Sequence, residues 1–589
     1  MNTRRVHVLF LLLLAIFFAA FFRSLGSALL GHDYFTFFPK LLDGLWHFRR
    51  QGIFPFMFTP HFCGGFVQYG NPQAMFYSLQ QLLSGFLDVW TAVRLTILTS
   101  MFIGYIGWYR FGREIIRLRM HWAHVFALII IAHGFYIMHM VAGHVPFHSM
   151  PLIGWLLLFI LRRENVSLRE CVSIAAFSAL LTAYIFYSGG YMVFVMILFA
   201  LVAFLPFELL LHVGELRMRC MLLIKRALAC GIGALLTGAS KLVAVVSFLR
   251  FFPREMPFER FTEGSSALWY TVKAFFALPQ TDDLFASVGM PNWGAVHEYS
   301  LFLSPVVLAS LFFGIILLWK RRRAVCSRPV LSLTFFFIAL FQLVFFLQLA
   351  QGYGWMVTPL ENLPIFTSLH MNTRYLYAYS FLLVAVAVWC VQEWTERSRW
   401  KHHGLFVAFS FGALTVAAWV LAYAGLFAGE TLPRTMPYPF LHEALEEHPG
   451  FLSLPVETMY LFEGLGHSEF VPFLFGGNDR NCHEPMLWGG GNPELDDLVP
   501  GPVAIVWDER FNMFNPACMQ YPEENDCRPG DRIHVSDAEN WERFRMGEKT
   551  TWKVSLLQHI GNWVSIFTFI AALLWIAGMY FMQKRAPSA

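Results

Sequence analysis

The sequence predicts a mainly α-helical, polytopic integral membrane protein with about twelve spanning helices and a small extracytoplasmic α+β domain near the C-terminus. Three observations carry this. Of 589 residues, 57% are hydrophobic and 14% charged, with 63 Phe, a balance too apolar for a water-soluble globular chain. The apolar residues fall into runs long enough to cross a bilayer, beginning with Val6 to Leu30. Charge is divided as well. Glu430 to Lys553 holds 22 acidic and 9 basic residues, a net of −13, so the remainder carries +17.

Hydropathy places the crossings near 6–30, 88–109, 122–141, 148–161, 171–187, 191–211, 227–248, 300–319, 330–349, 375–394, 405–427 and 557–582. A half-inserted helix is expected over 73–87. Arg4 and Arg5 precede a first run too long for a cleaved signal, so it reads as a retained anchor. Basic residues then fall on alternate connections: Arg110, Arg113, Arg117 and Arg119; Arg162, Arg163 and Arg169; Arg217, Arg219, Lys225 and Arg226; Lys320 to Arg323; Arg397, Arg399 and Lys401; Lys584 and Arg585. Positive charge stays inside. Both termini are therefore expected in the cytoplasm of a multi-pass plasma (inner) membrane protein. This divides the chain into a membrane core, 1–429, an acidic extracytoplasmic domain, 430–555, and a last helix with its tail, 556–589. Short apolar runs such as Pro502 to Trp507 suggest strands in the acidic domain.

The first outer loop, 31–78, is the most informative stretch. Asp33 follows the first crossing within a residue or two of a membrane face. Leu41, Leu42, Leu45, Trp46 and Phe48 then share a stripe, with Asp43, His47, Arg49 and Arg50 opposite, the pattern of a helix lying in the interface. Pro55, Pro60, Gly64, Gly65, Gly70 and Pro72 make the remainder turn-rich.

An Asp just after the first membrane helix, an interfacial helix, and then PHFCGGFVQYGNPQAMFY together resemble the GT-C superfamily of polytopic glycosyltransferases, nearest its bacterial YfhO-like branch. The resemblance is strongest over residues 1 to about 160. It implies transfer of a sugar from a polyprenyl-phosphate carrier to an extracytoplasmic acceptor (a surface glycan, glycolipid or protein), by single displacement with inversion, with Asp33 as general base. A second acidic group from the second outer loop is usual in such enzymes. Here that loop has no carboxylate, only His144 and His148.

Each candidate side chain has a plainer reading beside the functional one. Asp33 suits a helix N-cap as well as a base. His144 and His148 have the residue types to share a metal or bond a phosphate, or to serve as polar fillers. Lys241 lies inside the seventh crossing, where an ammonium needs a partner or a task; it either neutralises donor phosphate or snorkels to the interface. Arg374 opens the tenth crossing as a bidentate phosphate ligand or an interfacial anchor beside Tyr375, Tyr377 and Tyr379. His297 and Glu298 close the long outer loop ahead of the eighth crossing, and Glu298 is a second catalytic carboxylate or a helix cap. Asp282 and Asp283 suit a turn.

Of nine cysteines, Cys63, Cys482, Cys518 and Cys527 fall outside, where disulfides persist. Cys518 and Cys527 flank a turn-prone octapeptide and are the expected pair, with Cys482 a rival partner. A divalent cation is compatible with these residues but not required by them, and no nucleic-acid partner is expected. The readings from other classes are a transporter or flippase for a lipid-linked or cell-surface precursor and a non-catalytic assembly factor. Internal repeats with helices broken at matching positions favour the transporter; none is visible.

Overall fold

The computed structural model describes residues 3–25, 33–53, 57–164, 167–254, 264–276, 298, 300–325, 329–352, 354–363, 366, 374–428, 455–460, 477–479 and 495–585. His297, Asp282, Asp283 and Cys482 lie outside them. Among the described residues nine helices are long and apolar enough to cross a membrane. Three further expected crossings coincide with shorter apolar helices, Val145–Leu161, Pro305–Gly314 and Phe337–Gln351.

In chain order, α1 (Thr3–Leu25) is followed by α2 (Tyr34–Gln51), an antiparallel pair β1 (Phe58–Thr59) and β2 (Phe66–Val67), and a short α3 (Leu79–Leu83). The half-inserted helix expected over 73–87 is thus one short helix, capped by the Ser78 side chain on Gln81 N. Next come α4 (Val89–Glu114), α5 (Met120–Ile131), α6 (Gly134–Ala142), a 3-10 segment (Val145–Leu152), α7 (Ile153–Leu161), α8 (Leu168–Tyr187), α9 (Tyr191–Leu211) and α10 (Leu216–Leu249). A Ser167–Glu170 capping box starts α8. At the basic end, Arg219 and Arg226 of α10 donate to the carbonyls of Leu161, Arg162, Phe159 and Glu164, satisfying the free end of α7.

The span from Met120 to Ala142 is broken, and the break matters. The helix stops at His133, whose Nδ1 accepts from Phe135 N to cap α6. Gly134 donates to Phe302 O, and a Cβ on Gly134 would lie 2.6 Å from Phe302 N. Residues 300–304, outside any helix, lie beside the break, bonded through Leu301 and Leu303 to the end of α11 (Gly264–Phe276). Non-helical backbone at this depth is tolerated because it is buried in protein. Three long helices follow, α12 (Pro305–Val325), α13 (Pro329–Gln351) and α14 (Arg374–Arg397), then α15 (Gly404–Ala428).

The described parts of the acidic segment form two small three-stranded sheets. One has the order β4 (Gly477–Asp479), β3 (Thr458–Tyr460), β5 (Gly501–Pro502); the other runs β6 (Val506–Trp507), β7 (Arg510–Phe514), β8 (Arg532–His534). The run from Pro502 to Trp507 is thus split between two strands. Of the short helices, α17 (Ala538–Arg545) packs on β8, α16 (Pro516–Gln520) packs on β1, β2 and α10, and α18 (Leu556–Arg585) packs against α8 and α10. Cys518 and Cys527 are bridged, as spacing predicts. Cys63 is disulfide-bonded too, to a partner outside the described residues.

One expectation is corrected. Only the end of the polar stripe of α2 faces water: Asp43 and His47 are buried as completely as Leu41 and Trp46, Arg50 is half-buried and Arg49 is exposed. Asp43 Oδ1 accepts from Thr59 Oγ1 at 2.8 Å and from His61 Nδ1 at 2.7 Å, and Gln51 bridges His47 to Gly547 O. Arg50 donates to Met546 O, Gly64 N to Asn478 Oδ1, and Phe514 N to Gly64 O. The segment from α2 to β2 is packed between the helix bundle and the C-terminal sheets, so Asp43 and His47 meet protein.

Candidate functional site

Asp33, His139, His144, Glu298 and Arg374 meet at one end of the bundle. Two local features of sequence bring them there. Gly143 ends α6 in the left-handed region (φ +106°), and its missing side chain admits the loop: a Cβ would stand 2.4 Å from Tyr34 N. Asp33 N then donates to Ala142 O at 3.0 Å, and Tyr34 Oη to Met140 O at 2.6 Å. The second feature is the break at His133–Gly134, where Gly134 N donates to Phe302 O, four residues after the Glu298 that meets His139.

The contacts are specific. The Asp33 carboxylate pairs with His144 Nε2. Asp33 occupies the N-cap position of α2, yet its side chain makes no capping bond, so the plainer reading of this residue does not account for its orientation. Glu298 is bound bidentately by Arg374, with Nε donating to Oε2 at 2.8 Å and a second bond to Oε1. His139 Nε2 lies 3.2 Å from Glu298 Oε2, and His144 Nδ1 lies 3.8 Å from Glu298 Oε1. Phe147 forms the apolar wall, 5.0 Å from the His139 ring, 5.3 Å from the His144 ring and 5.3 Å from the Arg374 guanidinium.

Access is graded. The Asp33 and His144 side chains are each 17% exposed, whereas Glu298 is 4% and His139 fully buried. The entry is therefore on the Asp33–His144 side. Burial pushes the Glu298 carboxyl up, but the Arg374 guanidinium beside it opposes burial, and the carboxyl is held well below the usual carboxylate range. A fixed anion, a bidentate cation, and a carboxylate–imidazole pair at the opening are a set able to accept a proton and hold a phosphate.

The other predicted residues are placed elsewhere. Lys241 is buried, and its ammonium donates to Tyr69 O and Asn71 O, both at 2.7 Å, with the Tyr69 ring 5.1 Å away. It pegs the first outer loop to α10 and is not engaged with the cluster. His148 donates from Nδ1 to Val145 O and meets Tyr184 Oη with Nε2, so it does not join His144. His139 takes that place. Its signal in the sequence was an ionisable group inside an apolar run, one turn before the loop that holds His144.

No family model, curated protein or solved structure matches the chain. The likeness to GT-C enzymes accordingly stands on the residues and motifs quoted above.

Proposed function

We propose that the chain is a membrane glycosyltransferase that moves a sugar from a polyprenyl-phosphate carrier to an extracytoplasmic acceptor. The observation that carries this reading is the convergence of Asp33, His144, Glu298 and Arg374, from four distant parts of the sequence, on one bundle end that opens at Asp33. The acceptor hydroxyl gives its proton to Asp33 as its oxygen bonds the anomeric carbon, and the bond to the lipid phosphate breaks, releasing lipid phosphate. Arg374 faces that phosphate with the N–H donors that Glu298 does not occupy. The basic connections support a topology with both termini in the cytoplasm and residues 430–555 outside, and the Cys518–Cys527 bridge supports an oxidising compartment for the latter.

The test is sugar transfer by the purified full-length chain in proteoliposomes supplied with defined polyprenyl-phosphate sugars and glycan, lipid or peptide acceptors. Transfer that depends on Asp33 is expected. Absence of transfer from every donor, with vectorial movement of the carrier lipid in its place, would assign the chain to the flippases.

A further inference from the structure

We propose that His139, His144 and Glu298 bind one divalent transition-metal ion, with zinc the best fit to the ligand set. The inference does not rest on the transferase reading.

His139 Nδ1 is 2.7 Å from Phe135 O. A carbonyl only accepts, so Nδ1 carries the proton and the neutral ring presents its lone pair at Nε2. That lone pair faces Glu298 Oε2 at 3.2 Å, acceptor against acceptor. His144 repeats the arrangement with the ring reversed. Its Nε2 lies against the Asp33 carboxylate, which only accepts, so the proton belongs on Nε2 and the lone pair on Nδ1, facing Glu298 Oε1 at 3.8 Å. Two imidazole lone pairs thus converge on one carboxylate, and each ring has its far nitrogen held by an oxygen acceptor. This is how metal-bound histidines are oriented, with the outer acceptor fixing tautomer and ring angle.

The spacing agrees. One ligand atom from each of the three residues lies within 4.8 Å of the others. Ligands bound tetrahedrally at about 2.0–2.1 Å are roughly 3.3–3.4 Å apart, so side-chain movement of at most about 1.4 Å closes the set. Arg374 takes one lone pair of each Glu298 oxygen, and each oxygen has a second. Two imidazoles and one carboxylate suit zinc and its first-row neighbours, whereas magnesium and calcium prefer all-oxygen sites. With three protein ligands, a fourth position remains on the exposed Asp33–His144 side for water or a substrate oxygen. Asp33 is then a positioning residue for the metal through His144, as well as the base proposed above.

The experiment is metal analysis of the full-length chain in detergent, stripped with chelator, titrated with Zn²⁺ or Co²⁺ and desalted. One equivalent is expected in the wild type. The Co²⁺ form should show visible absorption bands, and X-ray absorption of the Zn²⁺ form should show two imidazoles in the coordination shell. His139→Ala and His144→Ala should retain no metal after desalting. Asp33→Asn should keep the stoichiometry with affinity weakened about 10–100-fold, and His148→Gln should match the wild type. Wild-type protein that retains no ion, or an absorption spectrum with fewer than two imidazoles, would overturn the proposal even if the alanine variants fail to fold. So would an equivalent retained undiminished in well-folded His139→Ala and His144→Ala. None of these readouts uses transferase activity, so the two readings fail separately.

Discussion

The carboxylate of Asp33 faces Nε2 of His144 rather than the backbone of the helix it precedes. A capping Asp turns its oxygens to the next amides; this one turns away, toward a ring that the C-terminal end of another helix presents. The prediction for its variants follows. Asp33→Asn keeps an acceptor for the His144 N–H but cannot take a proton as a base, so turnover should fall by about 10²–10⁴, or roughly 3–5 kcal/mol in barrier. Asp33→Ala should not show the loss of about 1 kcal/mol expected of a removed cap, because no capping bond is present to lose. Transfer rates and melting temperatures of both variants check this, and a fully active Asp33→Asn removes the base from the mechanism.

Gly143 should tolerate nothing larger. Its left-handed φ and the 2.4 Å approach to Tyr34 N mean that Gly143→Ala both strains the backbone and pushes the Asp33 loop away. A cost of about 1–3 kcal/mol is expected, with a lowered melting temperature and lost activity. Gly214→Ala is the matched comparison, since its Cβ would meet nothing within 4 Å. Equal behaviour of the two variants would mean that the loop is not held where it is described.

Lys241 and Arg374 should behave differently from a pair of phosphate ligands. Lys241→Met removes the donor shared by two carbonyls and should destabilise the fold by about 1–3 kcal/mol, while the folded fraction binds donor lipid with unchanged affinity. Arg374→Ala leaves Glu298 buried without its counter-ion, at a cost of about 3–5 kcal/mol, and Arg374→Lys should restore only part of it. Thermal unfolding and lipid-phosphate binding, measured on the same samples, separate the two effects. Donor affinity that falls with Lys241→Met would return phosphate recognition to that residue.

His47 makes the outer loop sensitive to acid. Burial lowers its pKa from 6.5 to about 3, against an opposing pull from Asp43, with His61 and Arg50 adding to the depression. Above pH 6.5 neither the folded nor the unfolded chain protonates this ring. As pH falls from 6.5 toward 3, the unfolded chain binds the proton and the folded chain does not, so this residue makes stability decline across that window. Melting temperatures across pH 4–8 should fall on the acid side, and His47→Gln should flatten the slope. An unchanged slope in the variant would assign the acid sensitivity elsewhere.

What the sequence revealed depended on whether a feature was local. The spanning helices follow from runs of apolar residues, and the Cys518–Cys527 bridge follows from a short turn between two outer cysteines. Asp33 was recognisable because it sits at the lip of a crossing. Partners were not recognisable. Nothing in the neighbourhood of Glu298 or Arg374 announces that they bind each other, since the pair is made by the break at His133–Gly134 and not by either segment alone. His139 was hidden by the same apolar run that marks its helix. For α2, amphipathic periodicity correctly separated two faces but could not say that Asp43 and His47 on the polar one are covered by protein while Arg49 is exposed, because a buried Asp43–His61 bond and a hydrated Asp have the same sequence pattern.

The pairing of Glu298 with Arg374 also has a consequence during synthesis. A chain made from its N-terminus has Asp33 and His144 in place long before Glu298 emerges, and Glu298 emerges before the arginine that neutralises it. Until Arg374 is inserted, a carboxylate sits at an apolar site with its main counter-charge still untranslated. The bidentate pair can therefore form only once the start of α14 has been made.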